Sequence, residues 1–161
     1  MRLLWPLACL AACSFRSPAH SPDGPDTGDD GGGGTWTVIE MINVPASGIA
    51  QLSKRSLDAG VRYRLRASGT CYVGTQQLGD AEYFDFNNGS PIDITANVDF
   101  GIAVNDTVID TTRMLKWGDY TDTHVYEVSW TGEGAPITLQ LHDGNYLINT
   151  GMLLVEILEH Q

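Results

Sequence analysis

Cysteine is scarce in this chain, and two of its three cysteines, Cys9 and Cys13, fall within the first thirteen residues. Beyond them only Cys71 remains, so no disulfide can staple the rest of the chain, and its core must hold the fold alone. Positive charge is scarce as well: nine Lys and Arg stand against twenty Asp and Glu, a formal net of −11. That balance argues against nucleic acid as a partner and against an electrostatic grip on anionic lipid. Long apolar runs are missing, since Leu3 to Leu10 is short and broken by Pro6, whereas a spanning helix needs about 20 apolar residues. Motifs of nucleophilic and metallohydrolase catalysis are absent too, with no Gly-x-Ser-x-Gly elbow and no His-Glu-x-x-His pair. The Gly31–Gly34 run is the one glycine cluster, and its setting is that of a linker rather than a phosphate loop. These absences point away from an enzyme and toward a binding or structural role.

What is present begins at the N-terminus. Arg2 gives a short positive start, the apolar run follows, and small residues lead into a cysteine: Leu10-Ala11-Ala12-Cys13. This has the layout of a cleavable export signal. The four-residue ending resembles the lipobox of bacterial lipoproteins. That resemblance implies cleavage before Cys13, acylation of Cys13 and a chain anchored to a membrane by its first mature residue. An ordinary secretory signal cleaved nearby would instead leave Cys13 as a free thiol. Ser14 is not the aspartate that commonly retains such lipoproteins in the inner membrane, so the expected location is the cell envelope at the outer membrane.

Residues 1–12 are therefore read as the signal peptide and 13–34 as the lipidated cysteine with its tether. From Ser14 to Gly34 the chain has three prolines, four aspartates, the closing glycine run and Phe15 as its single large apolar residue. Such a segment cannot bury enough apolar surface to offset backbone ordering, and it is expected to be a disordered spacer. Residues 35–161 form one domain, long enough for a single core. Asp23, Asp26, Asp29 and Asp30 belong to the tether, as does Arg16, and Arg2 to the signal. The domain is left with sixteen acidic and seven basic residues, a formal net of −9.

The domain's periodicity is that of strands. Val61, Tyr63, Leu65 and Ala67 alternate with Arg62, Arg64 and Arg66, which predicts a half-buried strand. The arginine face reads either as an anion patch or as an exposed face paired with Glu127 or Glu156 across the sheet. Trp36–Val44, Asp99–Val104, His124–Trp130, Ile137–His142 and Met152–Leu158 read as further strands. Turn chemistry separates them at Asp58-Ala59-Gly60, Asn87-Asn88-Gly89, Gly132-Glu133-Gly134 and Asp143-Gly144-Asn145. Ile49–Leu57 has room for one helical turn capped by Ser47 or Ser53. The expected fold class is all-β: a single jelly-roll-type β-sandwich after a signal peptide and a disordered linker.

The densest polar cluster is the loop from His142 to Gly151, which holds Asp143, Asn145 and Asn149 ahead of the last strand. A carboxylate, amide oxygens and freed carbonyls suit calcium, which takes six to eight oxygens in flexible geometry. The spacing of Gly60-x-x-Tyr63, then Ala67-Ser68-Gly69, then the terminal Asp-x-x-Tyr-x-x-Asn-x-Gly resembles the PA-I-type calcium-dependent galactophilic lectins and their jelly-roll relatives. The likeness spans roughly Leu52 to Leu158 through short motifs. It implies calcium between the final loop and the loop after the Ala67-Ser68-Gly69 strand, with sugar hydroxyls bound to the metal. The ligands it implies are Asp143, a carbonyl near Asn145, Asn149, and a second carbonyl at Tyr72 or Val73. Ile148 departs from the family's pattern, which has a ligating asparagine there. The family's galactose-holding His and Gln fall near Tyr83 and Phe86, so galactose preference does not transfer, although Tyr83 offers a stacking ring. Asp143 and Asn149 serve equally as caps of their own loop in the alternative reading.

Three more aromatic residues complete the candidate ligand contacts. Trp117 and Tyr120 lie in an expected loop, where a ring stacks on a sugar or a protein partner, or closes one end of the core. Tyr146 belongs to the final loop. Asp119 and Asp122 lie close enough in sequence to orient His124. Cys71 reads as a small buried hydrophobe. The function expected from the sequence is non-enzymatic, calcium-dependent carbohydrate binding by an anchored envelope lipoprotein. The alternative is a structural or protein-interaction lipoprotein that has lost the sugar site, with an envelope protein rather than a glycan as partner.

Overall fold

The computed structural model describes residues 34–92, 94–95, 98–109 and 117–161. Residues 1–33, with the expected signal peptide, Cys13 and nearly all of the expected tether, lie outside the described residues. Among the described residues the strands are β1 (Trp36–Pro45), β2 (Gln51–Leu52), β3 (Arg62–Ser68), β4 (Cys71–Tyr72), β5 (Leu78–Gly79) and β6 (Ile94–Thr95). They continue with β7 (Val98–Asp99), β8 (Gly101–Val104), β9 (Thr107–Val108), β10 (Val125–Thr131), β11 (Thr138–His142) and β12 (Met152–His160). The main body is two antiparallel sheets, ordered β1-β12-β3-β10 and β2-β11-β8-β9, and the chain is all-β and sandwich-like. No helix among the described residues is long and apolar enough to cross a membrane.

Alternation explains how the sheets close on each other. In β3, Tyr63, Leu65 and Ala67 are buried while the arginines between them face outward. Across the register Val155 lies opposite Ala67 and Ile157 opposite Leu65, so β12 turns its own apolar set to the same side. The second sheet answers with Ile102, Val104, Leu139 and Leu141, all fully buried. Each such side chain contributes about 1.5–3 kcal/mol on burial, which is how a chain with one described cysteine holds together.

The outward face settles the arginine question in favour of pairing. Arg66 Nε lies 2.6 Å from Glu156, Arg64 lies 3.6 Å from Glu127, and the Arg64 guanidinium sits 4.3 Å over the Trp36 ring. The Glu156 hydrogen bond holds the Arg66 guanidinium above its ordinary pKa against the opposing effect of burial.

Two local expectations are corrected. Val61 is not on the inner face: it precedes β3, its N–H bonds Asp58 O, and its side chain is exposed. Ile49–Leu57 forms no helical turn but the short β2 and a loop. Ser53 is buried there and bridges, accepting from Ile137 N at 3.0 Å and donating to Arg55 O at 2.7 Å. Cross-strand pairing of β2 with β11 outcompetes an isolated turn, which gains little by itself.

The sandwich has two distinct ends. At one, Trp36 pairs with His160 and Gln161 N–H bonds Thr35 O. At the other, Pro45 pairs with Met152 and Ala46 N–H bonds Gly151 O, so the loop that follows β1 lies beside the loop that precedes β12.

Candidate functional site

Two stretches separated by some seventy positions meet at this second end. Tyr72 and Thr150 exchange backbone hydrogen bonds of 2.9 and 3.0 Å, which brings residues 72–77 against 143–149. Between them lies a cleft of about 340 Å³. Asp143, Gly144, Asn145 and Gln77 line it on the polar side, and Val73, Ile148, Phe84 and Phe100 on the apolar side. Phe84 and Phe100 pack with ring centroids 5.1 Å apart, giving the cleft a firm aromatic wall.

The final loop is shaped by its own side chains. Asn145 Oδ1 accepts from Leu147 N–H at 3.1 Å, an Asx turn, and Gly144 N–H donates to Asp143 Oδ1. Tyr146 tucks beneath: its hydroxyl donates to Leu141 O and accepts from Asp143 N–H. That ring presses on Gly48, whose φ is +73°, and a Cβ at Gly48 would run into it. Tyr146 is therefore a support for the loop, with its hydroxyl already engaged.

Asn149 is the unusual member. Its Nδ2 donates to Asp143 Oδ2 at 2.7 Å and to Ala46 O at 3.1 Å, while its Oδ1 is buried without a hydrogen-bond partner. A buried acceptor without a donor costs about 1–3 kcal/mol. A half turn of the amide exchanges the two ends and sets Oδ1 against Asp143 Oδ2 and Ala46 O. Three oxygens converging there repel one another unless a cation sits among them. With the amide so turned, the set would suit a hard cation through one carboxylate, one amide oxygen and the Ala46 carbonyl; as the structure places it, Nδ2 faces both oxygens. It is sparse in charge, and among the described residues no group of three or more His, Cys, Asp or Glu is placed to hold a metal.

The sequence-derived ligands Tyr72, Val73, Asp143, Asn145 and Asn149 are thus brought together. Two of them are partly spoken for: the Tyr72 carbonyl takes Thr150 N–H, and the Asn145 amide oxygen shapes its own loop. Ile148 is half exposed at the cleft wall where the lectin pattern has an asparagine.

The aromatic candidates fare differently. Of the two readings of Trp117, the structure has the one in which it closes the core: it is 3 % exposed, its Nε1–H reaches Ile102 O, and it belongs to the apolar cluster, so it is not open as a ligand contact. Closing one end of a sandwich removes more apolar area from water than a loop position would. Tyr83 is buried as well, its hydroxyl donating to Gly118 O at 2.9 Å, so its face is not open for stacking. Tyr120 is half-buried, edge-on to Tyr83 and to His124. Burial first, and then Asp122, hold its hydroxyl above the ordinary tyrosine pKa.

Sequence reasoning missed the strongest polar knot altogether. Asp80 is fully buried and saturated: Oδ1 accepts Glu82 N–H and Tyr83 N–H, and Oδ2 accepts Tyr126 OH at 2.9 Å and His124 Nδ1 at 2.8 Å. An ionised carboxylate only accepts, so Nδ1 carries the proton. Asp80, not Asp119 or Asp122, orients His124. The His124 ring lies 4.4 Å from Phe86, and its backbone is left-handed at φ 50°. Burial, followed by the Asp80 charge, pushes the Tyr126 hydroxyl well above its usual pKa. The available signal was the run Leu78-Gly79-Asp80-Ala81-Glu82-Tyr83-Phe84, in which acids sit inside an otherwise apolar stretch. No family model, curated protein or solved structure matches this chain.

Proposed function

We propose that this chain is an envelope lipoprotein, anchored through Cys13, whose jelly-roll-type sandwich is a non-enzymatic binding domain. Its cleft between residues 72–77 and 143–149 seats a glycan segment, with calcium held by Asp143 and Asn149 as the contact to sugar hydroxyls. The observation that carries this reading is the Asp143 carboxylate lining a cleft of sugar size and hydrogen-bonded to Asn149, whose Oδ1 is buried without a partner. The crossovers in the sheet orders, with β12 between β1 and β3 and β11 between β2 and β8, support the jelly-roll assignment. Phe84 and Phe100 supply an apolar wall for the C–H face of a sugar ring. When bound, calcium would supply coordination sites for vicinal hydroxyls; Asp143 and Asn149 orient it, and Tyr146 keeps Asp143 in place.

Thermal melting with calcium tests this directly. Ligands that bind only the folded state stabilise it by mass action, so tenfold the dissociation constant adds about 1.4 kcal/mol. With a single carboxylate the expected dissociation constant is that of weak extracellular modules, about 0.1–1 mM. The melting temperature should therefore climb across low-millimolar calcium, and Asp143→Ala should remove the rise. A flat melting curve up to 20 mM would overturn the calcium reading, whereas magnesium should shift it much less.

A protein-interaction role for the same cleft is favoured by one observation. Ile148 stands half exposed at its wall, and the neighbouring Leu147 is 92 % exposed, which suits an apolar partner surface better than a sugar. Glycan-array binding that stays blank with calcium present would support that role.

A further inference from the structure

We infer that β10 is a docking edge for a second copy of this chain: two β10 strands pair antiparallel about a twofold axis at Val128 and join the sheets of two copies into one. This interface is separate from the cleft and does not depend on the binding proposed there. In the order β1-β12-β3-β10, β10 is an edge strand, and among the described residues no strand pairs with its outer side. The ladder fixes which groups that side presents. Gly69 N–H bonds His124 O at one end of the β3–β10 pair, and Gly132 N–H bonds Val61 O at the other. Bonding alternates along an antiparallel strand, so the even-numbered residues of β10 bond β3. Val125, Glu127, Ser129 and Thr131 therefore turn their N–H and C=O groups to the free edge. An unpaired row of this kind is a template for another strand.

The other edges of the two main sheets are blunted, and β10 is not. β2 and β9 are two residues long each. β1 breaks register between Val38 and Glu40 and ends in Pro45, and its Glu40 carboxylate accepts the N–H groups of Lys54 and Arg55. By contrast, β10 pairs without a break from Val125 opposite Ser68 to Thr131 opposite Arg62, and it has no Pro, Gly, Lys or Arg. A second copy fits this edge because the strand is complementary to itself. About an axis at Val128, Val125 falls opposite Thr131 of the second copy, Tyr126 opposite Trp130 and Glu127 opposite Ser129, so no like charges meet. Charge also alternates across the seam. Ser129 is paired with Arg64 on the outer face, and Glu127 lies 3.6 Å from Arg64 and 3.8 Å from Arg66 of its own chain. Docking sets Glu127 beside the Ser129–Arg64 pair of the second copy as well, and the twofold axis repeats the contact.

Sedimentation equilibrium of the full chain in density-matched detergent should return twice the chain mass. A monomer at every concentration up to about 0.1 mM would overturn the inference and leave an extended segment of some other protein as the occupant of this edge. Ser129→Glu, at an exposed position beside Arg64, sets a carboxylate opposite Glu127 of the second copy at two symmetric places. It should weaken dimerisation by roughly tenfold, and an unchanged dimer would place the contact elsewhere. Register is read by cysteine cross-linking. Directly opposite residues lie about 4.5–5.5 Å apart, within reach of a disulfide. A mixture of Glu127→Cys and Ser129→Cys chains should therefore cross-link under mild oxidation, above the level given by the parent chain, whose Cys71 is buried. Either variant alone should stay at the parent level, and cross-linking of Ser129→Cys with itself would overturn the axis at Val128. None of these outcomes moves the calcium-dependent melting shift, so the two proposals fail separately.

Discussion

Asp80 and Asp143 are the same residue type put to different uses. Asp80 is inaccessible, and both of its oxygens are taken twice over, by two backbone N–H groups, a tyrosine hydroxyl and an imidazole. Asp143 is half exposed at a cleft, with one backbone N–H and one amide, and its amide partner Asn149 carries a buried oxygen without a donor. A saturated buried carboxylate fixes structure, because any rearrangement strands several partners in a low dielectric. An unsaturated polar cluster beside a cavity leaves coordination capacity for something from outside. The contrast teaches where to look for function: incomplete satisfaction is the better guide, and the more crowded cluster is the scaffold.

Substitutions sharpen that contrast. Asp80→Ala removes the acceptor of four hydrogen bonds and should destabilise the fold by about 3–5 kcal/mol, the cost of breaking a buried charged network. Urea unfolding followed by tryptophan fluorescence measures it. A loss under 1 kcal/mol would mean that water or a neighbour replaces the carboxylate easily, and the contrast would collapse.

Cys71 tests the space between the two acids. Its thiol is pushed up to about 12, first by burial and then by the charges of Asp80 and Asp143. The folded chain holds this proton more tightly than the unfolded chain, whose thiol ionises near its ordinary value. The contribution is therefore complete below about pH 9 and is lost as pH rises toward 12. Stability should decline through that window, with Tyr126 adding to the decline because its hydroxyl is also raised. Chemical denaturation at stepped pH reads the slope, and Cys71→Ala should make it shallower. Native Cys71 should also resist iodoacetamide at pH 8; rapid alkylation would show that the thiol is not shielded.

Asp143→Ala, by contrast, should cost only about 1 kcal/mol without calcium, because its partners lie where water can replace it. A loss as large as that of Asp80→Ala would make Asp143 a structural residue and weaken the binding role. The smallest effect belongs to the outer face, where Arg64 and Glu127 are each more than a third exposed. A double-mutant cycle on that pair should return a coupling under about 1 kcal/mol that fades in 0.5 M salt. A larger coupling would mean that the ladder of ion pairs acts as a unit.

Much of the framework was legible before any coordinates. Alternation in 62–68 named the buried row correctly because that strand has one wet face, 152–158 was legible as a strand, and glycine with Asp or Asn marked the turns. Val61 misled because a pattern does not say where pairing begins. Trp117 stayed open between two readings because a loop residue and a residue that closes the core look alike in one dimension. Asp143 and Asn149 were visible as a polar loop. That Ala46 shares their site was not, since it comes from the opposite end of the chain.

The sequence by itself determined the all-β character, the lack of a disulfide within the domain, the acidic balance and the N-terminal pattern that suggests an anchor. These follow from composition and short-range periodicity, which are properties of a line. Only the tertiary structure decided that Asp80 orients His124 across forty-four residues, that Trp117 lies inside, and that residues 72–77 close on 143–149 to form a cleft. It also put that cleft near the Pro45 end of β1, away from Trp36. Each of these depends on which strands become neighbours, and strand order is fixed by the simultaneous burial of many distant side chains, which no local spacing encodes.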